Sequence, residues 1–236
     1  MSAELEALRT VDTPTVCDII EELMPERRTT GYTVRHLHPF NPAVLPIVGY
    51  ARTLRIRAKV PPERHGAAYL QIGDHYVDYL ADGPMPGLVV AQDMDGPEAG
   101  YGAFWGTVQT TIHRSLGVCG TVTDGSVRDF EELAEGFPIL GAAVGPAHAY
   151  AHICEFGTEV TVAGMTVRSG DIVHADRHGA VVVPPETVDE ITARASVIKE
   201  REAEILALCA APDFSVERLK AAMRESGESV QSPEPE

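Results

Sequence analysis

Hydrophobic residues recur along the chain at two spacings, one typical of strands and one typical of helices. Short apolar runs and alternating stretches predict strands. The predicted strands cover Ile47–Val60, Leu88–Ala91, Val118–Thr123, Ile139–Val144, Asp171–Ala175 and Ala180–Val183, with a hairpin over Glu159–Val167. In Ile47–Val60 the later apolar residues alternate with Arg55 and Arg57, which predicts a half-exposed strand.

Apolar positions three or four residues apart predict the helices. The first begins at Asp12-Thr13-Pro14, where aspartate can cap the helix and proline fits its first turn, and it runs to about Met24. The others are Ala67–Leu80, Phe104–Leu116, Pro185 to about Cys209, and Ser215–Arg224. Strands that alternate with helices, followed by a cluster of strands, predict an α/β domain of the layered α+β kind.

Composition bounds the domain organisation and the partners. The chain has 236 residues, of which 44% are hydrophobic and 23% charged, as is ordinary for a globular protein. We expect a single domain with terminal helices over residues 1–226 and a disordered acidic tail over residues 227–236. With 19 basic and 35 acidic residues the net charge is -16, and no nucleic acid partner is expected because such a surface repels phosphate.

Cysteine usage and the N-terminal segment predict the compartment. The four cysteines are scattered and form no Cys-x-x-Cys pair, which predicts free thiols in a reducing compartment. No basic leader with an apolar core is visible, and no apolar run approaches the length of about 18 residues that a membrane span needs. The sequence therefore predicts a cytoplasmic protein without membrane contact.

The segment Gly120–Asp129 carries the main candidate chemistry. It is typical of a short buried strand that ends in a tight polar turn, after which Arg128 and Asp129 stand side by side. A guanidinium offers a planar fork of donors to the carboxylate of a small acid, and a carboxylate offers hard oxygen atoms to a divalent cation. An ordinary Arg–Asp turn that closes a loop has the same spacing and stays an alternative.

Gly120–Asp129 resembles the signature of the family of 4-hydroxy-4-methyl-2-oxoglutarate aldolases, which also contains the regulator of ribonuclease activity A (RraA). Two further segments, Gly100–Gly106 with the helix that follows and Val167–Pro184, resemble this RraA-like family in the same order. The resemblance implies a swivelling β/β/α sandwich. It also implies assembly as a homotrimer or homohexamer, with the active site at a subunit boundary.

The resemblance implies a substrate site and a metal site. The residues implied to bind a pyruvyl unit are Gly106, Thr107, Val108 and Gln109, through their backbone amides, and Arg128. Arg128 and Asp129 are the implied catalytic residues, with Asp129 holding Mg²⁺ or Mn²⁺. Thr107 departs from the family, because the aldolases usually have an acidic residue there and a hydroxyl cannot carry its charge.

Three further acids are candidates for supporting roles. Asp124 is interpreted mainly as a turn former that orients Arg128. Glu132, three residues after Asp129, would support the metal from the same helical turn, although a solvated first-turn acid would look alike. The resemblance implies that an acid near Glu204 of a neighbouring subunit reaches the waters around the metal.

Histidine spacing raises the alternative of a zinc site. His174 and His178 flank Asp176, and His148 and His152 are four residues apart. Zinc would need such ligands to converge together with a further one. A structural role is the favoured interpretation, because the segment that contains His174 is structural in the RraA-like family.

Two classes of function follow from these features. The first is a metal-dependent lyase that cleaves 4-hydroxy-2-oxo acids to pyruvate and a second carbonyl compound, with oxaloacetate decarboxylation as a side activity. The second is a non-catalytic protein-binding regulator. Arg128-Asp129 favours the enzyme, whereas Thr107 leaves open a related metal enzyme with a shifted substrate.

Overall fold

A computed structural model of the chain describes residues 3–42 and 46–225. The backbone forms two compact units, Met1–Thr192 and Ala193–Glu236. The tail expected over residues 227–236 lies outside the described residues. The assignment of residues 1–226 to a single domain stays a prediction.

The first unit contains a mixed sheet and a hairpin. Its strands are β1 (His38–Phe40), β2 (Ile47–Arg57), β3 (Gly87–Asp93), β4 (Ala103–Trp105), β5 (Val118–Val127), β6 (Ile139–Val144), β7 (His152–Phe156), β8 (Val160–Val162), β9 (Met165–Val167), β10 (Ile172–Asp176) and β11 (Gly179–Val183). The nine-stranded sheet has the order β1-β6-β5-β3-β2-β10-β11, with β4 beside β5 and β7 beside β2, and β8 pairs with β9. The α/β prediction is confirmed.

In the part of the chain that the structure describes, six α-helices accompany the strands. They are α1 (Ala3–Leu8), α2 (Thr13–Leu23), α3 (Ala67–Ala81), α4 (Thr107–Ser115), α5 (Val188–Ala210) and α6 (Val216–Glu225). Asp12 caps α2 as predicted, since its carboxylate accepts a hydrogen bond from Thr15 N at 3.0 Å. The second unit consists of the later part of α5 and of α6. Within the described residues, no helix combines the length and the apolar character that crossing a membrane requires.

Two hydrophobic cores lie on opposite faces of the sheet, and β3 contributes to both. Leu88 and Val90 pack into one core with the β8–β9 hairpin. Val89 and Ala91 pack into the other, which contains the fully buried Trp105. Because both faces of β3 are covered, its sequence is a continuous apolar run rather than an alternating one.

The expectation of a half-exposed strand over Ile47–Val60 is wrong in degree. The strand β2 ends at Arg57, and within it only Tyr50, Arg55 and Arg57 are partly exposed while all other residues are buried. Its neighbours β3, β7 and β10 flank it, so β2 lies inside the sheet. Arginine alternates with apolar residues only in the last third of β2.

The predicted helix over Phe104–Leu116 starts too early. Ala103–Trp105 forms β4, which pairs in parallel with β5, and α4 begins only at Thr107. An apolar triplet before a helix fits either periodicity. This triplet forms a strand because it hydrogen-bonds to β5, and a local sequence pattern gives no information about pairing with a distant strand.

The tight turn predicted at Asp124 is also wrong. The strand β5 continues to Val127, with a shift in its pairing to β6 between Thr123 and Ser126. Asp124 therefore lies within a strand, and the turn follows Asp129 instead. The remaining predicted strands and helices are present with shifts at their ends, whereas α1, β1 and β7 were not predicted.

Candidate active site

Parallel pairing of β4 with β5 brings the two halves of the candidate site together. Trp105 pairs with Val127, and the next residue, Arg128, donates its backbone N–H to Trp105 O at 2.9 Å. Gly106 follows Trp105 directly, so it meets the segment that follows β5. The sheet thereby joins two positions that are far apart in sequence.

Gly106 fits this place because it has no side chain. A Cβ atom at Gly106 would lie 2.9 Å from Asp129 Oδ2 and 3.2 Å from Arg128 Cγ, closer than atoms of this kind normally approach. The backbone of Gly106 is extended, with φ of -172°, so the requirement for glycine is one of space. The backbone at the start of α4 therefore lies against the Arg128–Asp129 pair.

Arg128 and Asp129 form a loose ion pair that stays open to solvent. Arg128 Nε lies 3.4 Å from Asp129 Oδ2, and the two side chains are 37% and 45% exposed. Asp129 has φ of 51°, a left-handed conformation that is uncommon outside glycine and that often occurs at functional sites. Both groups therefore remain available to a ligand.

The N-terminus of α4 adds hydrogen-bond donors beside this pair. Gly106 is the N-cap and supplies no capping side chain, and the first helical bond runs from Thr110 N to Gly106 O at 3.0 Å. Among the described residues, no acceptor takes the backbone N–H groups of Thr107, Val108 or Gln109. Free N–H groups at the positive end of a helix favour a bound anion.

Thr110 fixes the turn that follows Asp129, and sequence reasoning missed it. Its fully buried hydroxyl donates to Gly106 O at 3.0 Å and accepts a hydrogen bond from Ala134 N at 3.1 Å. The same hydroxyl is 3.1 Å from Thr107 O, a second acceptor within reach. A threonine on the buried side of α4, four residues after Gly106, was the signal that could have found it.

Glu132 does not lie on a helix. Its backbone N–H donates to Asp129 O at 2.9 Å, which closes a turn after Asp129. The expectation of one helical turn is therefore wrong. Glu132 is exposed, so its carboxylate is solvated.

Asp124 holds two strands together rather than forming a turn. Its Oδ1 accepts a hydrogen bond from Asp93 N at 2.7 Å, and Asp93 Oδ2 in turn accepts one from Gly100 N at 2.7 Å. Burial raises the pKa of Asp124 to about 6, with the nearby charge of Asp93 adding to the rise. Sequence reasoning missed Asp93, whose bond to Gly100 anchors the loop that leads into β4.

Three of the four histidines that suggested zinc, His152, His174 and His178, have structural partners for their side chains. His174 is fully buried, with Nε2 donating to Val11 O at 2.9 Å and Nδ1 accepting from Thr13 Oγ1 at 3.0 Å. Burial lowers the pKa of His174, so the neutral imidazole is the stable form. In residues 3–42 and 46–225, no three His, Cys, Asp or Glu residues are grouped so that they could hold a metal ion.

The structure brings together most of the predicted site residues. Gly106, Arg128 and Asp129 are in contact, and Thr107, Val108 and Gln109 follow at the start of α4. Glu204 is exposed on α5 in the second unit, so its part in the site stays a prediction. The arrangement can bind an anion next to a carboxylate that is free to take a cation.

Comparison with known proteins gives relatives in several microorganisms. A protein of Methanocaldococcus jannaschii, MJ0644, described as uncharacterized, is 36% identical over 105 residues, which are 44% of this chain and 50% of that protein. The chain thus matches only half the length of this relative.

Solved structures are similar in fold. An uncharacterized protein from Pseudomonas syringae has a TM-score of 0.69 and 20% identity, over 95% of this chain and 94% of that one. Streptomyces coelicolor RraAS2, described as an unusual member of the RNase ES inhibitor RraA protein family, has a TM-score of 0.64 and 22% identity, over 88% and 96%. At these identities the likeness concerns the fold alone, and it confirms the expected RraA-like sandwich.

A family model provides the assignment. The model described as RraA-like, Aldolase/RraA, matches residues 13–182, a stretch that runs from the first residue of α2 into β11. This stretch contains the whole of the Gly106–Asp129 site. The chain therefore belongs to the RraA-like family.

Proposed function

We propose that the chain is a divalent-metal-dependent carbon–carbon lyase that cleaves 4-hydroxy-2-oxo acids to pyruvate and a second carbonyl compound. Oxaloacetate decarboxylation is the proposed side activity. The observation that carries this proposal is the contact of the Arg128–Asp129 pair with the uncapped start of α4 at Gly106.

Anion binding is the first task in this reaction, and the site has two sets of donors for it. Arg128 presents a guanidinium that can bind a carboxylate with two parallel hydrogen bonds. The free amides of Thr107, Val108 and Gln109 point their partial positive charge to the same side of the helix. Together they would hold the acid and stabilise the negative charge that develops on the 2-oxo oxygen when the enolate forms.

Asp129 fits a hard divalent cation with few protein ligands. Its carboxylate is 45% exposed and contacts only the single guanidinium of Arg128 among the ion pairs of the described residues. Mg²⁺ commonly takes one or two protein carboxylates and keeps several waters, so a cluster of three side chains is not needed. A bound Mg²⁺ or Mn²⁺ would supply a Lewis acid that draws electrons from the 2-oxo group.

The cleavage itself moves one proton and breaks one bond. A base removes the proton of the C4 hydroxyl, the C4 carbon becomes a carbonyl, and the C3–C4 electron pair passes into the pyruvate enolate. Protonation at C3 then gives pyruvate. Thr107 cannot act as a charged base, and its hydroxyl oxygen is buried without a hydrogen-bond partner among the described residues.

Oxaloacetate needs no such base, because loss of CO₂ leaves the same enolate directly. A site with Thr107 in place of the acid can therefore still bind an anion and stabilise the charge of the enolate. On this ground we propose that decarboxylation is strong relative to aldol cleavage in this protein. A metal enzyme with a shifted substrate is the variant of the proposal that Thr107 favours.

We also propose that the protein works as a homotrimer or homohexamer. Large apolar side chains next to the site residues are exposed in the single chain, with Val108 at 67%, Phe130 at 46% and Val144 at 57%. Exposed apolar surface of this kind is typical of a face that a partner covers. A neighbouring copy would bring an acid such as Glu204 towards the site, in keeping with the family resemblance.

A non-catalytic regulator is the second candidate. Thr107 favours it, because the position lacks the usual acid of the aldolases, and the fold likeness to an RraA-family inhibitor agrees with it. Asp129 weighs against it, since a regulator has no need of a carboxylate that is held against glycine and left open to solvent.

Pyruvate release tests the proposal. Purified protein, stripped of metal, would be assayed on oxaloacetate and on a panel of 4-hydroxy-2-oxo acids, with Mg²⁺, with Mn²⁺ and with excess EDTA. We expect turnover only with metal. Metal-independent release would contradict the role of Asp129, and no release from any compound with either metal would favour the regulator.

A further inference from the structure

A cleft with a volume of about 560 Å³ opens in the first unit at the end of β2. Its walls come from β2, from residues 60–64, from the first turns of α3 and from β7. A volume of this size is usual for sites that bind small molecules. The residues of the Gly106–Asp129 site do not line it.

Arginine side chains give this cleft a cationic wall. Arg55 and Arg57 are two residues apart on β2, so they point to the same side of the strand while Ile56 between them is buried. Arg64 reaches across from the following loop and donates to Cys154 O at 3.1 Å. Three guanidinium groups thus line this cleft, against the two carboxylates of Glu63 and Glu155, in a chain whose net charge is -16.

These arginines are neutralised to different degrees. Arg55 donates to Glu155 Oε2 at 2.8 Å and to Glu159 O at 2.6 Å, so its charge is largely satisfied. Arg57 Nε is 3.4 Å from Asp95 Oδ1, but this contact lacks hydrogen-bond geometry.

Asp95 is held by other groups. Its Oδ2 accepts the backbone N–H groups of Ala58 and Lys59 at 2.7 Å each, which fixes the carboxylate against the chain. Within the described residues, the side chain of Arg57 makes one hydrogen bond, from Nη2 to Met94 O at 3.3 Å. Arg57 and Arg64 therefore retain donors for an anion, and charged donors of this kind bind carboxylate or phosphate more strongly than neutral ones.

Part of the cleft wall is apolar. Hydrophobic side chains from four segments contribute to it, namely Val60, Pro61, Pro62, Ile72, Met94 and Ile153. Tyr69 extends this surface and is itself exposed. Guanidinium groups next to an apolar wall suit a molecule with one anionic end and one hydrophobic end.

His152 and Cys154 form the β7 wall and offer a means of observing the cleft. His152 Nδ1 donates to Tyr150 O at 2.6 Å, which leaves the lone pair of Nε2 facing Cys154 Sγ at 3.7 Å. Burial raises the pKa of the Cys154 thiol, with the charges of Arg57 and Arg64 opposing the rise. Cys154 should therefore react slowly with alkylating reagents, and because it lines the cleft, its reaction rate can report on a molecule bound there.

We propose that this cleft binds a small organic anion. Its carboxylate or phosphate group rests on Arg57 and Arg64, and its hydrophobic part lies on the wall that includes Ile72 and Ile153. The site is separate from the proposed pyruvyl site and does not depend on the lyase activity.

Calorimetric titration of the full-length protein tests the proposal with three probes that share one hydrophobic body. Phenylacetate and phenyl phosphate carry the two candidate anionic groups, and 2-phenylethanol carries none. We expect at least one anion to bind about 10-fold or more tightly than the alcohol. The tighter of the two anions identifies the head group. Equal binding of all three, or binding by neither anion at millimolar concentration, would overturn the proposal.

Variants assign the binding to the cleft. Arg57→Gln and Arg64→Gln should each weaken the binding of the anionic probe about 10-fold, since each removes a charged donor. Arg177→Gln, at an exposed position outside the cleft, and Arg128→Gln, in the other site, should bind it as the wild type does. Loss of binding in Arg128→Gln with retention in Arg57→Gln would assign the probe to the pyruvyl site and contradict the proposal.

Alkylation of the unmodified protein gives a readout that needs no variant. N-ethylmaleimide should label Cys154 more slowly when the anionic probe is bound, and the exposed Cys209 should label at an unchanged rate. Mass spectrometry of the two peptides follows both rates in one sample. Bound probe that leaves the Cys154 rate unchanged would show that it lies elsewhere.

Discussion

At two places in this protein an arginine is adjacent to an aspartate where a strand ends, and the two aspartates differ in burial and in hydrogen bonding. Arg128-Asp129 follows β5, and Asp176-Arg177 stands at the end of β10. The carboxylate of Asp176 is buried and accepts hydrogen bonds from Thr13 N at 2.9 Å and His178 N at 2.7 Å. Asp129 is nearly half exposed and has one loose contact with Arg128.

The pKa of Asp176 reflects its satisfied state. Burial by itself would raise this pKa, but the hydrogen bonds from Thr13 and His178 outweigh burial and leave the pKa below its usual value. The carboxylate of Asp176 therefore fastens α2 to the β10–β11 hairpin. Residue types and spacing therefore do not separate a structural turn from a candidate site, whereas the supply of hydrogen-bond partners does.

The largest expected contrast comes from removing the charge of each aspartate. Asp129→Asn should lower the turnover of metal-loaded protein by about 1,000-fold or more and change the free energy of unfolding by less than about 0.5 kcal/mol. Asp176→Asn should lower the free energy of unfolding by about 1–3 kcal/mol and leave the turnover of folded protein near that of wild type. Pyruvate release and urea unfolding measure the two effects. Equal effects of the two substitutions on turnover and on stability would contradict a functional role for Asp129 and a structural role for Asp176.

The arginines of the two turns provide the second test. Arg128→Lys keeps the charge but loses the planar fork, so we expect KM to rise by about 10-fold or more with a smaller change in kcat. Arg177 is exposed, and Arg177→Lys should leave both constants unchanged. Steady-state kinetics on oxaloacetate measures both variants. Equal KM values for Arg128→Lys and wild type would remove the substrate-binding role.

A methyl group at Gly106 tests the close contact on which the site depends. Gly106→Ala would put Cβ 2.9 Å from Asp129 Oδ2, and the displaced carboxylate should reduce kcat/KM by about 10-fold. Gly73→Ala is the control, because its Cβ meets no atom within 4 Å, and it should stabilise α3 by about 0.5–1 kcal/mol without a change in kinetics. Unaltered kinetics in Gly106→Ala would mean that this contact does not matter for activity.

Restoring an acid at Thr107 should shift the balance between two reactions. Thr107→Glu or Thr107→Asp should raise aldol cleavage relative to oxaloacetate decarboxylation by about 10-fold, since only cleavage needs a base. Both reactions would be measured on 4-hydroxy-4-methyl-2-oxoglutarate and oxaloacetate under the same metal load. An unchanged ratio would assign the base to another residue.

The smallest effect concerns how stability depends on pH. The pKa of Asp124 is raised from 3.8 to about 6, so the protonated form stabilises the fold, and that contribution is lost as pH rises through 6. Asp124→Asn should therefore gain about 1–2 kcal/mol relative to wild type between pH 4 and pH 7. Asp176 has a lowered pKa, so its contribution is lost as pH falls, and Asp176→Asn should cost less at low pH. The Asp124 slope lies above about pH 4 and the Asp176 slope below about pH 4, so urea unfolding from about pH 2.5 to about pH 7 measures both. Slopes of the same sign would refute the assignment.

Local patterns predicted most of the secondary structure of this chain. The cap at Asp12, the β8–β9 hairpin and the long helix α5 each depend on residues that are neighbours in sequence. The start of α4 and the end of β5 were predicted wrongly, because both depend on the pairing of β4 with β5. The candidate pair Arg128-Asp129 was predictable since its two members are adjacent.

The other features of the site were not predictable because they join distant segments. Three such interactions join residues that are 23 to 31 positions apart. They are the contact of Gly106 with Asp129, the hydrogen bond from Ala134 N to Thr110 and the hydrogen bond from Asp93 N to Asp124. From the resemblance to the RraA-like family, Gly106 was expected to bind substrate and Asp129 to bind metal. The close approach of these two residues to each other was not predicted.

The family, most of the secondary-structure elements and the pair of charged groups that can bind an acid and a cation can be predicted from the amino-acid sequence. These depend on local periodicity and on the chemistry of single residues. The tertiary structure decided that Asp129 stays open while Asp176 is buried and satisfied. It also decided that arginines from β2 and from the loop after it line a cleft with β7. Burial and hydrogen-bond satisfaction are properties of the whole packed unit, so no local pattern can specify them.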